Sequence, residues 1–129
     1  MRVAVDTNRY RDFCEGVKEV VECFQTATEI CLPLIVLAEL RAGFFRGTRA
    51  RGNEAVLVQF LNAPRTRVLR PNDETTHHYA RVYGQLRAQG TPIPSNDIWI
   101  AALVMQHDVS LCSRDAHFDH LPQLSRVAF

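Results

Sequence analysis

The stretch RVAVDTN, residues 2–8, begins as a short apolar run and ends abruptly on a carboxylate. Val3, Ala4 and Val5 show no polar alternation, which is typical of a central strand of a parallel sheet that is buried on both faces. Asp6 follows directly, and a carboxylate at the edge of a core is costly unless something compensates its charge. Two roles are therefore open to Asp6: it caps the next helix, or it helps to hold a cation.

Strand-like and helical segments alternate along the rest of the chain. Short β-rich runs indicate strands, and apolar residues at helical spacing with charges opposite them indicate helices. The predicted strands are residues 2–6, 29–36, 67–69, 109–113 and 126–129, and the predicted helices are 7–16, 17–27, 36–47, 53–62, 72–90 and 97–107. Pro33 is expected to end the second strand, Asn53 to cap its helix, and Ser95 or Asn96 to cap the last helix. This order predicts one α/β domain, residues 1–129, with a central, mainly parallel sheet flanked by helices.

The composition is that of an ordinary globular protein, with 47% apolar and 22% charged residues and a net charge of +1. No apolar run approaches the length of a membrane span, and the N-terminus shows no charged-then-apolar leader, so we expect a cytoplasmic protein without a membrane partner. The four cysteines, Cys14, Cys23, Cys31 and Cys112, form no C-x-x-C pair. They are expected to be core thiols rather than a disulfide framework or a zinc site.

Four acidic residues are predicted to meet at one edge of the sheet. Asp6 ends the first strand, Glu39 lies early in the helix after the second strand, Asp97 begins a late helix, and Asp115 follows strand 109–113. Ligands of open parallel sheets bind beyond the carboxyl ends of the strands. Clustered carboxylates repel one another unless pKa values rise or cations bind, and oxygen donors favour Mg²⁺ or Mn²⁺. A divalent ion at this position suits phosphodiester hydrolysis.

Each acid also has an ordinary structural role open to it. Asp6 and Asp97 could be helix N-caps, and Asp115 could be a turn aspartate. Glu39 is harder to explain in this way, because its apolar neighbours indicate a largely buried helix in which an unpaired glutamate is costly.

Four motifs, VDTN, LAELRAG, NDIWIAA and SRDAHFDHLPQL, occur in this order. Together they resemble the PIN-domain ribonucleases, and most of all the VapC-type toxins of bacterial toxin–antitoxin pairs, over essentially the whole chain. The resemblance implies a PIN-like α/β/α sandwich and a Mg²⁺- or Mn²⁺-dependent endoribonuclease. Its catalytic acids would be Asp6, Glu39, Asp97 and Asp115, with Asp6 and Asp97 as metal ligands.

The resemblance also implies supporting residues and partners. Asn8 and Asn96 would accompany the acids, and Ser113 stands where the family often has threonine. Asp119, four residues beyond Asp115, competes with it for the position of the fourth acid. The implied partners are an RNA substrate, a cognate antitoxin protein and a second copy of the chain in a homodimer.

A basic cluster follows Glu39 and consists of Arg41, Arg46, Arg49 and Arg51. We hypothesise that these arginines, Arg41 and Arg46 first, contact RNA phosphates. The alternative is a solvated helix face that makes exposed ion pairs.

Two histidines near the C-terminus, His117 and His120, are spaced in a way that suggests zinc. The dipeptide HF in this position also occurs in the resembling toxins, where it mainly packs, so no zinc site is expected.

Other function classes fit the sequence less well. Haloacid-dehalogenase-like phosphatases need a second aspartate two residues after the first, and that position is Asn8. These phosphatases also need a lysine or arginine late in the chain, and receiver domains need a lysine there. The only lysine of this chain is Lys18, which lies far too early. The main alternative is a PIN-like module that binds RNA or protein without catalysis.

Overall fold

A computed structural model describes the whole chain, residues 1–129. In chain order its elements are β1 (Arg2–Val5), α1 (Thr7–Cys14), α2 (Lys18–Thr26), β2 (Glu29–Pro33), α3 (Leu34–Arg46), α4 (Ala50–Leu61), β3 (Thr66–Leu69), α5 (Asp73–Gln89), α6 (Ser95–His107), β4 (Ser110–Cys112) and a 3₁₀ helix (Ala116–His120). The helices flank a single sheet, which confirms the predicted α/β/α sandwich.

All strands of the sheet are parallel, in the order β3-β2-β1-β4. Strand β1 is central and its residues Val3, Ala4 and Val5 are fully buried. Val5 pairs with Cys112 of β4, and Ala4 pairs with Cys31 of β2. Because the strands are parallel, the carboxyl ends of β1, β2 and β4 lie at the same edge of the sheet.

Two helices begin earlier than the sequence suggests. Strand β2 ends at Pro33 as predicted, and helix α3 starts directly after it at Leu34, two residues before the predicted start at Val36. Helix α4 starts at Ala50, so that Asn53 lies inside the helix instead of capping it.

The ends of α5 follow the sequence closely, whereas the start of α6 and the last strand do not; α6 ends at His107 as predicted. Asn72 caps α5, and Gly90 ends it in the left-handed conformation with a φ of 70°. Helix α6 begins at Ser95 after Pro94, and neither of the two expected caps makes a side-chain capping bond. The predicted strand 126–129 is reduced to one parallel bridge between Leu111 and Arg126.

The core is continuous through both layers and holds the edge of the sheet rigidly. Helix α6 contributes a nearly continuous run of buried residues, from Ile98 to Val104, with only Trp99 partly exposed. Cys23, Cys31 and Cys112 are buried thiols as expected, whereas Cys14 is exposed, and all four are free. No helix is long and apolar enough to cross a membrane.

Candidate active site

Asp6 takes the capping role, one of the two roles that its sequence position left open. Its Oδ1 accepts a hydrogen bond from the backbone N–H of Thr7 at 2.8 Å, which caps α1. Its Oδ2 accepts from the Ser113 hydroxyl at 2.6 Å, and its backbone N–H donates to the carbonyl oxygen of Cys112 at 3.0 Å. The residue is only 5% exposed. A carboxylate is thus held at the junction of β1 and β4.

Asp97 and Asp115 come together around one histidine nitrogen. Nδ1 of His117 lies 2.7 Å from Oδ2 of Asp97 and 3.1 Å from Oδ1 of Asp115. Asp97, in the first turn of α6, is 8% exposed. Asp115 caps the 3₁₀ helix by accepting from the backbone N–H of His117 at 2.9 Å. One potential ligand atom from each of these residues lies within 4.8 Å of the other two.

Glu39 joins the cluster from α3. Its Oε1 accepts from the Thr7 hydroxyl at 3.3 Å, which ties α3 to the residue that follows Asp6. Burial raises the pKa of Glu39, and the charges of Asp6 and Asp97 raise it further, whereas the bond from Thr7 lowers it. The glutamate therefore lies in the same negative field as the two aspartates.

The pKa of Asp97 is also raised above its ordinary value. Burial is the largest cause, and the charges of Asp115 and Asp6 add to it, while the hydrogen bond to His117 acts in the opposite direction. The four predicted acids therefore form one electrostatically coupled group. A divalent cation would relieve both the burial cost and the mutual repulsion.

Ser113 and Asn8 connect the acids to the protein framework. Besides donating to Asp6, the buried Ser113 hydroxyl accepts from the backbone N–H of Asp115 at 3.1 Å. The Asn8 side-chain amide approaches both Asp6 Oδ2 and Ser113 Oγ at 3.4 Å, and its oxygen accepts from the backbone N–H of Arg114 at 3.2 Å. Both residues therefore lie where the sequence predicted them.

Asn96 does not join this network. Its side chain is exposed and makes no hydrogen bond to the acids; it lines an open groove of about 550 Å³ beside Glu39 and Trp99. The role of Asn96 as a polar companion of the acids stays a prediction, without a hydrogen bond to support it. The reason is that Asp97 faces the sheet edge from one side of α6, while Asn96 lies toward solvent.

The competition between Asp115 and Asp119 is decided by geometry. Asp119 is exposed and forms an ion pair with Arg126 at 2.6 Å. Asp115 lies beside Asp97 and His117. The structure thus brings Asp115, and not Asp119, to the acidic cluster.

A fifth acid next to the cluster is neutralised by two arginines. Asp12 is buried and accepts two bonds of 2.9 Å from Arg114 and one of 3.0 Å from Arg9. The hydrogen bond from Arg114 is the main cause of a lowered Asp12 pKa. Because both guanidinium groups are engaged with Asp12, they do not neutralise the acidic cluster. The i,i+3 spacing of Arg9 and Asp12 is visible in the sequence, but the contact with Arg114 is not.

The basic cluster after Glu39 is exposed and partly paired. Arg41 makes a two-pronged ion pair with Glu54, with N–O distances of 3.0 and 2.8 Å. For Arg41 the structure therefore shows the exposed ion pair that was the alternative to RNA contact. Arg46 is exposed in the last turn of α3, and an RNA contact by either arginine stays a prediction.

His117 is the site residue that sequence reasoning missed. The expectation that the HF pair mainly packs is correct only for Phe118, which is fully buried. The ring of His117 is 45% exposed and faces Asp97 and Asp115. The sequence did contain a signal for this role. His117 follows the predicted site acid Asp115 by two residues in a tight turn, which brings the two side chains together.

Comparison with known proteins places the chain in a family. A family model for the PIN domain matches residues 4–124. Among curated proteins, Ribonuclease VapC1 of Haemophilus influenzae (strain R2866) is 32% identical over 87 residues, which covers 62% of this chain and 63% of that protein.

Solved structures match over nearly the whole chain. VapBC-1 from nontypeable Haemophilus influenzae superposes with a TM-score of 0.86 at 23% identity, covering 98% of this chain and 97% of that one. VapBC-5 from Mycobacterium tuberculosis, described as a member of the VapBC family of toxin–antitoxin systems, gives a TM-score of 0.75 at 22% identity, covering 98% of each chain. At these identities the superpositions establish the fold.

Proposed function

This chain belongs to the PIN-domain family, and on that premise we propose that it is a metal-dependent endoribonuclease and the toxin of a toxin–antitoxin pair. The observation that carries the proposal is the cluster of Asp6, Glu39, Asp97 and Asp115. Four different segments of the fold deliver these acids to one edge of the sheet. Fold alone does not imply function, but this site and this family point to the same chemistry.

The donor set fits a divalent cation. Asp6 and Asp97 are both more than nine-tenths buried, and no arginine or lysine forms an ion pair with either of them. We propose that these two acids hold Mg²⁺ or Mn²⁺, with Asp115 beside them. A bound divalent ion would lower the pKa of a coordinated water and stabilise negative charge on the scissile phosphate.

The residues of the chain would divide the remaining work. Ser113, by donating to Asp6, and Asn8, by anchoring the loop after β4, hold the acids in place. Glu39, with its raised pKa, is suited to accept a proton from the attacking water at a carboxylate oxygen. Attack on phosphorus then breaks the bond to the leaving ribose oxygen, which takes up a proton from solvent water, and Glu39 returns its proton to solvent.

The test is cleavage of RNA by the purified chain. Structured RNAs would be incubated with Mg²⁺, with Mn²⁺ and with chelator, using the native protein and Asp97→Asn. The matched control is Asp73→Asn, which makes the same chemical change at an exposed position in the first turn of α5. We expect discrete, metal-dependent fragments from the native protein and from the control, and none from Asp97→Asn.

A different outcome would favour the non-catalytic alternative. If the native protein binds RNA but produces no fragments with either ion, the chain is a binding module and the proposal is wrong. If Asp97→Asn cleaves as well as the native protein, the activity comes from a contaminant or from another site.

The partners follow from the same proposal. The similarity to VapBC complexes supports a cognate antitoxin protein as a partner. The acidic cluster offers such a partner a natural target for a basic side chain. A homodimer and a cytoplasmic location stay predictions.

A further inference from the structure

We propose that His117 is a direct nitrogen ligand of the divalent ion at Asp97 and Asp115, and that it makes this site prefer Mn²⁺ over Mg²⁺. The inference rests on the proposed metal site but not on the nature of the substrate. It changes the expectation from sequence, which assumed a set of oxygen donors alone.

Two of the three distances between the donor atoms are close to the distance between neighbouring ligands of one ion. At metal–ligand distances of about 2.1 Å, adjacent donors of an octahedral site lie about 3.0 Å apart. Nδ1 of His117 is 3.1 Å from the Asp115 oxygen and 2.7 Å from the Asp97 oxygen. The second distance has to open by a few tenths of an ångström, and the two carboxylate oxygens, which lie within 4.8 Å of each other, have to turn toward the same ion. A single N–H points best at one oxygen, whereas a metal ion bonds all three atoms together.

The backbone holds this arrangement without the ion. Asp115 and His117 are fixed relative to each other, because the carboxylate of Asp115 accepts from the backbone N–H of His117. The neighbouring Phe118 is fully buried and anchors the 3₁₀ helix to the core. Asp97 comes from α6, most of whose following residues are buried. The donor atoms therefore come from two rigid elements, which reduces the entropy lost on binding.

Imidazole separates the two candidate ions chemically. Mg²⁺ binds almost exclusively to oxygen and holds its waters strongly. First-row transition ions, beginning with Mn²⁺, bind mixed nitrogen and oxygen donors increasingly well along the series. A nitrogen donor in place of an oxygen thus lowers the relative affinity for Mg²⁺.

The competing interpretation is that His117 only orients the two aspartates through hydrogen bonds. In that case replacing His117 would weaken the binding of Mg²⁺ and of Mn²⁺ equally, because both ions bind the same oxygen atoms. The two interpretations therefore differ in ion selectivity and in the presence of a metal–nitrogen bond.

The experiment compares His117→Gln with His120→Gln. Glutamine is polar and can offer an oxygen but no imidazole nitrogen. His120 lies on the same 3₁₀ helix, is exposed, and contributes only its backbone carbonyl to a hydrogen bond with Gln89. Metal-free protein of each kind would be titrated with MnCl₂ and MgCl₂ by calorimetry. Pulsed EPR of the Mn²⁺ complexes would detect ¹⁴N coupled to the metal, and circular dichroism would verify folding.

We expect the native protein and His120→Gln to show ¹⁴N coupling and tighter binding of Mn²⁺ than of Mg²⁺. His117→Gln should lose the coupling and bind Mn²⁺ at least about tenfold more weakly, with a much smaller change for Mg²⁺. Mn²⁺ bound to the native protein without ¹⁴N coupling would overturn the inference. So would an equal loss of affinity for both ions in His117→Gln.

Failure of this inference can be distinguished from failure of the proposed function. If the native protein cleaves RNA while its Mn²⁺ shows no nitrogen coupling, only the role of His117 is wrong. If neither ion binds and no RNA is cleaved, the metal-dependent nuclease is wrong and the inference falls with it.

Discussion

Replacing Asp97 with asparagine is expected to stabilise the metal-free protein and, at the same time, to remove most of its stabilisation by a divalent ion. Asparagine keeps the size of the side chain and removes the charge. Unit charges 4.8 Å apart, the limit on the separation of the Asp97 and Asp115 ligand atoms, repel by about 0.9 kcal/mol in water and about 3.5 kcal/mol at an effective dielectric constant of 20. Because Asp97 is 8% exposed and the side chain of Asp115 is 34% exposed, the repulsion lies between these limits.

Two losses oppose this gain. A negative charge in the first turn of a helix is worth about 0.3–1 kcal/mol, and asparagine gives this up at the start of α6. The bond from His117 also changes from charge-assisted to neutral, which weakens it by about 1 kcal/mol. Burial of the carboxylate is itself a cost that asparagine avoids. We therefore expect a net stabilisation of about 1 kcal/mol, or a Tm higher by roughly 3–5 °C.

The advantage of the variant should depend on pH. The pKa of Asp97 is raised from 3.8 in the folded protein, by burial and then by the charges of Asp115 and Asp6. The folded state therefore binds this proton more tightly than the unfolded state, so wild-type stability falls as the pH rises from 3.8 through the raised value. The Asp97→Asn variant lacks this loss. The stability difference should be small below pH 3.8 and constant once the pH is well above the folded pKa.

The assay is thermal unfolding followed by circular dichroism, in chelator at pH 4 and pH 7.5 and with added MnCl₂. At 100 times its Kd, an ion adds about 2.7 kcal/mol to the wild type, so Mn²⁺ should reverse the order of the two proteins. Asp73→Asn, which loses only the helix-terminus effect in α5, should be slightly less stable than the wild type under every condition. The reasoning is refuted if Asp97→Asn is less stable than the wild type in chelator at pH 7.5. It is also refuted if Mn²⁺ raises the Tm of Asp97→Asn as much as that of the wild type.

Three further predictions concern Ser113, Asp12 and the exposed arginines Arg41 and Arg46. Ser113→Ala removes the hydroxyl that donates at 2.6 Å to the carboxylate of Asp6. Urea unfolding should show a free energy of unfolding lower by about 1.5–3 kcal/mol, whereas Ser113→Thr should retain most of the wild-type stability. An alanine variant as stable as the wild type would contradict the role of this bond. Asp12→Ala should cost about 1–3 kcal/mol at pH 7, since water screens the half-exposed Arg114. Because the folded pKa of Asp12 lies below 3.8, chiefly through its bond from Arg114, this difference should disappear as the pH falls through that pKa; a difference that persists in strong acid would exclude the ion pair as its source. Joint replacement of Arg41 and Arg46 by glutamine should flatten the slope of log affinity for single-stranded RNA against log salt by about 1.4, and an unchanged slope would exclude both as phosphate contacts.

Local sequence preferences were sufficient to predict the ends of an element when its start and stop signals lie within that same segment. Helix α5 carries its own cap, its acidic first turn and its terminal glycine, so its ends follow from the sequence. The start of α4 does not follow from its local signal. Asn53 is a good cap residue, yet the helix begins three residues before it, with exposed residues. The predicted strand 126–129 does not form either, because only Arg126 pairs with the sheet, through a single bridge to Leu111.

The sequence by itself determined the parallel α/β order and the four acids that this order brings to one edge. It could do so because a strand without polar alternation that ends on Asp6 is a local signal, and because parallel strands share an exit edge. Only the tertiary structure decided which neighbouring groups belong to the site. It pairs Asp119 with Arg126 and Asp12 with Arg114, turns Asn96 toward solvent, and sets His117 between two aspartates. These contacts depend on angles and distances between segments far apart in the chain, and a side chain's type and position in the sequence do not specify them.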